Sequence, residues 1–234
     1  HGAGIFSPNA TITLDHLIIK DNYAAGDLDG GGGYIGGDVT ITNCTFQNNT
    51  GRKGGALLLN DGNILVENCL LQNNHGWESG GAFQLMGENV TIKNTIVTGN
   101  DGGSTIWCQN CNADIINTSV FDNDSDHDYI VFMNGSGNID FTNSILYNVG
   151  YEEVGSLVGP NPGSVTITYS DIDGGFDGNG NIDADPLFTD PDNGNYSLSD
   201  YSPCIGAGTT SGAPSTDIEG NPRPNPVGTN PDMG

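Results

Sequence analysis

Side chains able to bind a cation gather in three stretches of this chain: Asp27 and Asp29, then Asp122, Asp124, Asp126 and Asp128, and above all Asp171, Asp173, Asp177, Asp183 and Asp185. Calcium takes six to eight oxygens, and glycines such as Gly174, Gly175 and Gly178 let main-chain carbonyls turn toward an ion beside the carboxylates. The spacing departs from that of an EF-hand, which ends on a bidentate acid. The reading is therefore a calcium loop on Asp171, Asp173, Asp177 and Asp183, with a smaller candidate at Asp190 and Asp192; solvated turns are the alternative. Acid–base chemistry has fewer candidates. His75 lies close to Glu78, and His127 stands between Asp126 and Asp128; both read as loose proton-transfer pairs or as solvated corners. Arg52 and Lys53 are the only adjacent basic pair. Cys108 and Cys111 have the spacing of a local disulfide or of half a zinc site, but no second such pair and no paired histidines supply the remaining ligands.

What must hold these residues is a repeat. The run Val39 to Asn49 returns at Ile64 to Asn74, Val90 to Asn100, Ala113 to Asn123 and Ile139 to Val149, with worn copies at Ile12 to Asn22 and Val165 to Ile172. Taking residues 16, 43, 68, 94, 117, 143 and 169 as markers, the copies lie 23 to 27 residues apart. Such a period with strand-type alternation marks a solenoid, whose coils bury their apolar faces only by stacking. Val39, Ile41, Cys44 and Phe46 point one way, with a break of phase at Asn43, so a corner falls there. Asn tolerates the left-handed backbone of such a corner. The expectation is an internal amide ladder of Asn43, Asn68, Asn94, Asn117 and Asn143, because buried polar groups must be paired. Cys44 and Cys69 fall at one inward position on successive coils and read as a stack of buried thiols.

A third strand between copies opens on glycine pairs, Gly32-Gly33, Gly54-Gly55 and Gly80-Gly81, with weaker equivalents before Ile106, Ile130 and Leu157. Three strands and three corners per coil describe an all-β fold, the right-handed parallel β-helix, of about seven coils stacked about 4.8 Å apart. Residues 1–178 form the coils and residues 179–234 a proline-bearing strap. His1 to Phe6 read as a third strand belonging to an earlier coil. If Leu57, Phe83, Ile106 and Ile130 point inward, Tyr34 and Tyr129 stack outward, with Leu58, Gln84, Trp107 and Val131 in the next column. So apolar a column on a surface generally marks a ligand, a partner or a covering segment. Trp77 on a corner has the shape to stack on a sugar ring.

Five Lys and Arg against 29 Asp and Glu give a net charge of −24. Phosphate binding needs a basic stripe that is absent, so nucleic acid and anionic membrane surfaces are not expected partners. No stretch reaches the length of a membrane span.

Two segments resemble known families. Phe46 and Asn49 followed by Gly54-Gly55-Ala56-Leu57, echoed by Leu71, Asn74 and Gly80-Gly81-Ala82-Phe83, resemble the polymorphic outer-membrane-type β-helix repeats of bacterial surface proteins. Asp183-Ala184-Asp185-Pro186, Ser202-Pro203-Cys204, the run Asp217 to Arg223, and Pro231 to Gly234 resemble the C-terminal part of secreted choice-of-anchor proteins. These resemblances imply display at the cell surface, ahead of a sorting signal. The fold also carries pectate-lyase-like and polygalacturonase-like enzymes, but fold does not give function. The basic cluster of the former, and the paired Asp, Gly-His-Gly and Arg-x-Lys strings of the latter, are not found. The reading is thus an extracellular, calcium-stabilised β-helix with a structural, adhesive or glycan-binding role. Its expected partners are an acidic or neutral glycan, or a second copy stacked head to tail. The alternative is a calcium-dependent lyase or hydrolase acting on acidic glycans.

Overall fold

The computed structural model describes residues 3–156 and 163–234. His1 and Gly2, from the expected leading strand, and Leu157 lie outside the described residues. Three seven-stranded parallel sheets run the length of the molecule. The first holds Ile5–Ser7, Gly33–Gly36, Leu57–Asn60, Phe83–Met86, Ile106–Gln109, Tyr129–Asn134 and Glu152–Ser156. The second holds Ile12–Asp15, Val39–Thr42, Asn63–Glu67, Asn89–Lys93, Asn112–Ile116, Asn138–Thr142 and Ser164–Thr168. The third runs from Ile18–Lys20 through Thr45–Gln47, Leu70–Gln72, Ile96–Thr98, Ser119–Phe121 and Ile145–Tyr147 to Asp171–Ile172. Every pairing within them is parallel and joins residues one repeat apart, so the chain climbs by one rung per repeat. Seven rungs are linked by about six turns of chain. A short fourth sheet, Thr50–Lys53, His75–Ser79 and Asp101–Gly102, straightens the corner ahead of the first sheet in the middle rungs.

The corners explain the punctuation of the sequence. All seven markers, His16, Asn43, Asn68, Asn94, Asn117, Asn143 and Tyr169, have φ between 46° and 54°. Asn pays less than most residues for that left-handed bend. At the opposite corner the glycine pairs are a steric demand: a Cβ on Gly54 would come within 2.4 Å of the Leu57 carbonyl oxygen, and one on Gly55 within 2.3 Å of the Gly81 oxygen.

The amide ladders differ from the expected one. The marker asparagines do stack, Asn68 on Asn43 at 3.4 Å, Asn94 on Asn68 at 3.2 Å and Asn143 on Asn117 at 3.3 Å. They stack on the outside of the corner, however, and Asn43 is exposed. Asn94, Asn117 and Asn143 are buried where residues 205–234 cover them. The internal ladder is the asparagine at the end of each copy, or next to it in the copy that closes on Val149: Asn49, Asn74, Asn100, Asn123 and Asn148, all buried. Each Oδ1 accepts both the main-chain N–H and the Nδ2 of the asparagine one rung below, and each Nδ2 also donates to a carbonyl such as Phe46 O or Leu71 O. At the last rung the Glu153 carboxylate takes the place of a further asparagine, accepting Asn148 N at 2.6 Å and Asn148 Nδ2 at 2.9 Å. Burial pushes the Glu153 carboxyl up to about 7, against the lowering effect of the two Asn148 bonds. The left-handed bend aims the marker asparagine outward, while the second one follows its own corner and turns in.

The residue after each marker forms another column, Cys44, Cys69, Thr95, Thr118, Ser144 and Ser170, each donating to the carbonyl two residues back. Cys44 and Cys69 are buried thiols in this column, where sulfur and hydroxyl serve the same purpose. Asn181 closes it by accepting from Ser170 N, and Ile182 bridges to Asp171. Residues 173–184 therefore fold across the last rung. Beyond them, Phe188–Asp190 and Asn195–Leu198 form an antiparallel hairpin. It packs on the outside of the third sheet through Phe188 and Tyr196, 4.3 and 5.4 Å from the Phe121 ring.

Candidate binding face

The outward column of the first sheet, read by register, is Phe6, Tyr34, Leu58, Gln84, Trp107 and Phe132. This corrects three expectations. Val131 points into the core, in register with Ile106, and Phe132 takes the outer place. Tyr34 shares the column of Leu58, while Tyr129 stands beside it, stacked on Phe132 at 5.8 Å. Leu58 and Gln84 belong to the column but are buried, at 2% and 0% exposure, so they are not a contact surface. The rung lacks a glycine pair to mark where its strand begins, so the chain alone leaves Ile130 and Val131 as rivals for the place of Ile106.

Trp107 stacks on Phe132 at 4.6 Å and against His127 at 5.6 Å, and Phe6 lies 5.5 Å from Tyr34. In the middle of the column Gln84 Oε1 accepts from Ser79 Oγ at 2.6 Å, and its Nε2 is buried without a hydrogen-bond partner among the described residues. His127 reaches the Glu78 carbonyl oxygen at 3.4 Å, so the acidic corner arches back across the intervening rung to the one two below its own.

Glu78 and Trp77 owe their position to a bulge. Gly76 pairs with Gly51 and Ser79 with Lys53, so two residues on one strand oppose one on the other. Such insertions re-aim side chains and often border functional sites. Here the bulge throws Trp77 outward beside Tyr23, the rings 6.3 Å apart. Glu78 meets the basic pair: Lys53 Nζ is 3.2 Å and Arg52 Nε 3.6 Å from its carboxylate. Arg52 also grips Asp29 through both carboxylate oxygens, at 2.8 and 3.1 Å. The bond to Asp29 raises the Arg52 pKa further. Both cations are thus neutralised, and neither stands free as a base. His75 is paired with Asp101 at 2.7 Å rather than with Glu78, and His127 with ring and carbonyl partners rather than with its neighbouring acids.

The expected calcium residues are placed differently from one another. Asp171 is fully buried, accepting from Ala184 N and from the Cys204 thiol, each at 3.1 Å, and burial raises its pKa. Asp183 accepts from Gly174 N at 3.2 Å, and Asp190 from Asn193. Asp177 and Asp192 are exposed. Among the described residues no three His, Cys, Asp or Glu side chains converge as a metal-holding group. Asp185, Asp173, Asp171 and Asp183 nonetheless lie near one phenol, Tyr147, whose pKa is raised by burial and then by these charges. Cys108 and Cys111 form a disulfide with their Cα atoms 5.6 Å apart.

Two features escaped the sequence reading: Phe132 as the outer residue, and the joining of Trp107, His127 and Glu78 in one patch. The first was visible as an aromatic inside an apolar run; the second needs the rung geometry. No helix among the described residues is long and apolar enough to cross a membrane. No curated protein and no solved structure matches the chain. A family model described as a right handed beta helix region matches residues 1–120 and again 27–184, and the chain belongs to that family.

Proposed function

We propose that this β-helix is an extracellular binding module for glycans, with its contact surface on the first sheet and the bulged corner beside it. The observation that carries the reading is the pairing of two aromatic platforms, Trp107 with Phe132 and Trp77 with Tyr23, on either side of a polar crest of Arg52, Lys53, Glu78 and His127. Aromatic faces suit the apolar faces of pyranose rings, and fixed polar groups beside them set orientation. The Cys108–Cys111 disulfide supports an oxidising compartment. In the same reading calcium stabilises the segment 171–185, held by the exposed carboxylates of that segment.

The neutralised basic pair favours binding over proton abstraction. Titration calorimetry against neutral and acidic oligosaccharides tests the proposal, with Trp77→Ala and Trp107→Ala each expected to weaken binding at least tenfold. Failure of the unmodified protein to bind any glycan sinks it. Release of unsaturated uronate, followed by ultraviolet absorbance, would move the protein to the lyase class instead.

A further inference from the structure

Residues 188–234 do not lie flat on the rod. They are pinned at three places: Tyr196 to Gln72 at 2.9 Å, Thr216 and Arg223 to Asn94 at 2.8 and 2.6 Å, and Thr209 and Asp232 to Asn143 and Asn117 at 2.7 and 3.0 Å. Between the pins a cavity of about 570 Å³ is left open. That is within the range of small-molecule sites, roughly 300–1,000 Å³.

Its lining is divided. Leu70 and Ile96 of the third sheet, with Tyr196 of the hairpin, form an apolar side. Arg223, Asp217 and Asp232 contribute to the polar side. Arg223 uses Nη1 on the Asn94 amide oxygen at 2.6 Å and Nη2 on the Gly234 main-chain oxygen at 2.9 Å. Arg52, Lys53 and Lys93, by contrast, each sit within 4 Å of an Asp or Glu side chain. Asp217 and Asp232 act on Arg223 from farther away, and no ion pair joins them among the described residues. A guanidinium has five N–H donors, so donors remain that neither acceptor uses.

We infer that the cavity beneath the C-terminal segment is a second binding site, separate from the first-sheet face, and that it takes a neutral saccharide unit. A pyranose offers an apolar face to Leu70, Ile96 and Tyr196 and hydroxyls that both accept and donate. Arg223 meets the accepting oxygens; the carboxylates of Asp217 and Asp232 meet the donating ones. A uronate is disfavoured, because the carboxylates of Asp217, Glu219 and Asp232 outnumber the one guanidinium in the lining.

The test is titration calorimetry of the whole chain carrying Trp77→Ala and Trp107→Ala, against neutral oligosaccharides and their uronate counterparts. The expected result is binding of a neutral sugar that survives these two substitutions, at least tenfold tighter than the uronate. Leu70→Trp, which fills the cavity without touching its pins, abolishes that binding with little change in the melting midpoint. Arg223→Met weakens it at least tenfold. Absence of any binding in the doubly substituted chain, undiminished binding in Leu70→Trp, or preference for the uronate overturns the inference. Loss of all binding on changing Trp77 and Trp107 alone would leave the first-sheet proposal standing and remove this one.

Discussion

Asn100 is the centre of the internal ladder, and its replacement by Ala has a cost that follows from the bonds it makes. Its Oδ1 accepts Asn74 N and Asn74 Nδ2, each at 2.9 Å, and its Nδ2 donates to Leu71 O, Thr98 O and Asn123 Oδ1 at 3.0 to 3.1 Å. The site is at 0% exposure, so water cannot replace these partners. An orphaned buried amide costs about 1–3 kcal/mol, and each lost bond about 0.5–1.5 kcal/mol. Because Asn74 N–H is stranded and several further bonds go, the loss for Asn100→Ala is about 3–5 kcal/mol. For a chain of this size that lowers the melting midpoint by about 6–20 °C, at about 2–4 °C per kcal/mol. Backbone strain does not confuse the result, since Asn100 is not in the left-handed region. The matched control is Asn89→Ala, an exposed asparagine stacked on Asn63 at 3.2 Å, where about 0.5 kcal/mol or less is at stake. Asn100→Asp keeps the acceptor but sets a carboxylate against Leu71 O and Asn123 Oδ1, so its stability should recover as the pH falls. Urea denaturation and thermal melting measure all three. Equal losses at Asn100 and Asn89 would refute the argument that burial gives the ladder its strength.

The Glu153 carboxyl has a folded pKa of about 7 against an ordinary 4.5, so its contribution to stability is complete below about pH 4.5 and is lost as the pH rises through about 7. The loss is on the order of 3 kcal/mol, and Glu153→Gln should flatten the fall in unfolding free energy across that window; an unchanged slope refutes the assignment. Cys204→Ala strands the buried Asp171 carboxylate and should cost about 1–3 kcal/mol, whereas Cys204→Ser keeps a donor and should cost less. Equal losses by denaturation would show that the thiol contact is idle. If calcium relieves the crowding of carboxylates about Tyr147, millimolar calcium should raise the melting midpoint relative to chelator, and no shift removes the ion from the account. Leu17 and Ile18 are exposed on the first rung, at 40% and 71%, so if rods stack head to tail, light-scattering mass should rise with concentration and Ile18→Lys should prevent it. A monomer at every concentration ends that reading.

The repeat was legible because it is written twice, in the alternation of Val39, Ile41, Cys44 and Phe46 and in corner residues whose backbone demands are local. A left-handed bend at Asn43 or a stacked backbone at Gly55 selects the same residue types in any context, so the three long sheets and the marker corners follow from the chain alone, while the short fourth sheet does not, and the expected seven or so coils come out as about six turns. The facing of a side chain beside a corner is decided by the bend itself. That is why the internal ladder fell to Asn49 and its equivalents rather than to Asn43, although both recur at the same period. The same holds for Val131 and Phe132, where a shift of one residue along the strand exchanges core and surface. The candidate site was still less legible. Glu78, His127 and Trp107 come from different rungs, and nothing local couples them. Tertiary packing also set the fate of Asp171, which in sequence stands among its fellow acids but in the fold lies under Cys204. The Arg223 cavity exists only because residues 188–234 meet the third sheet at separated points, a matter of long-range fit that no local spacing encodes.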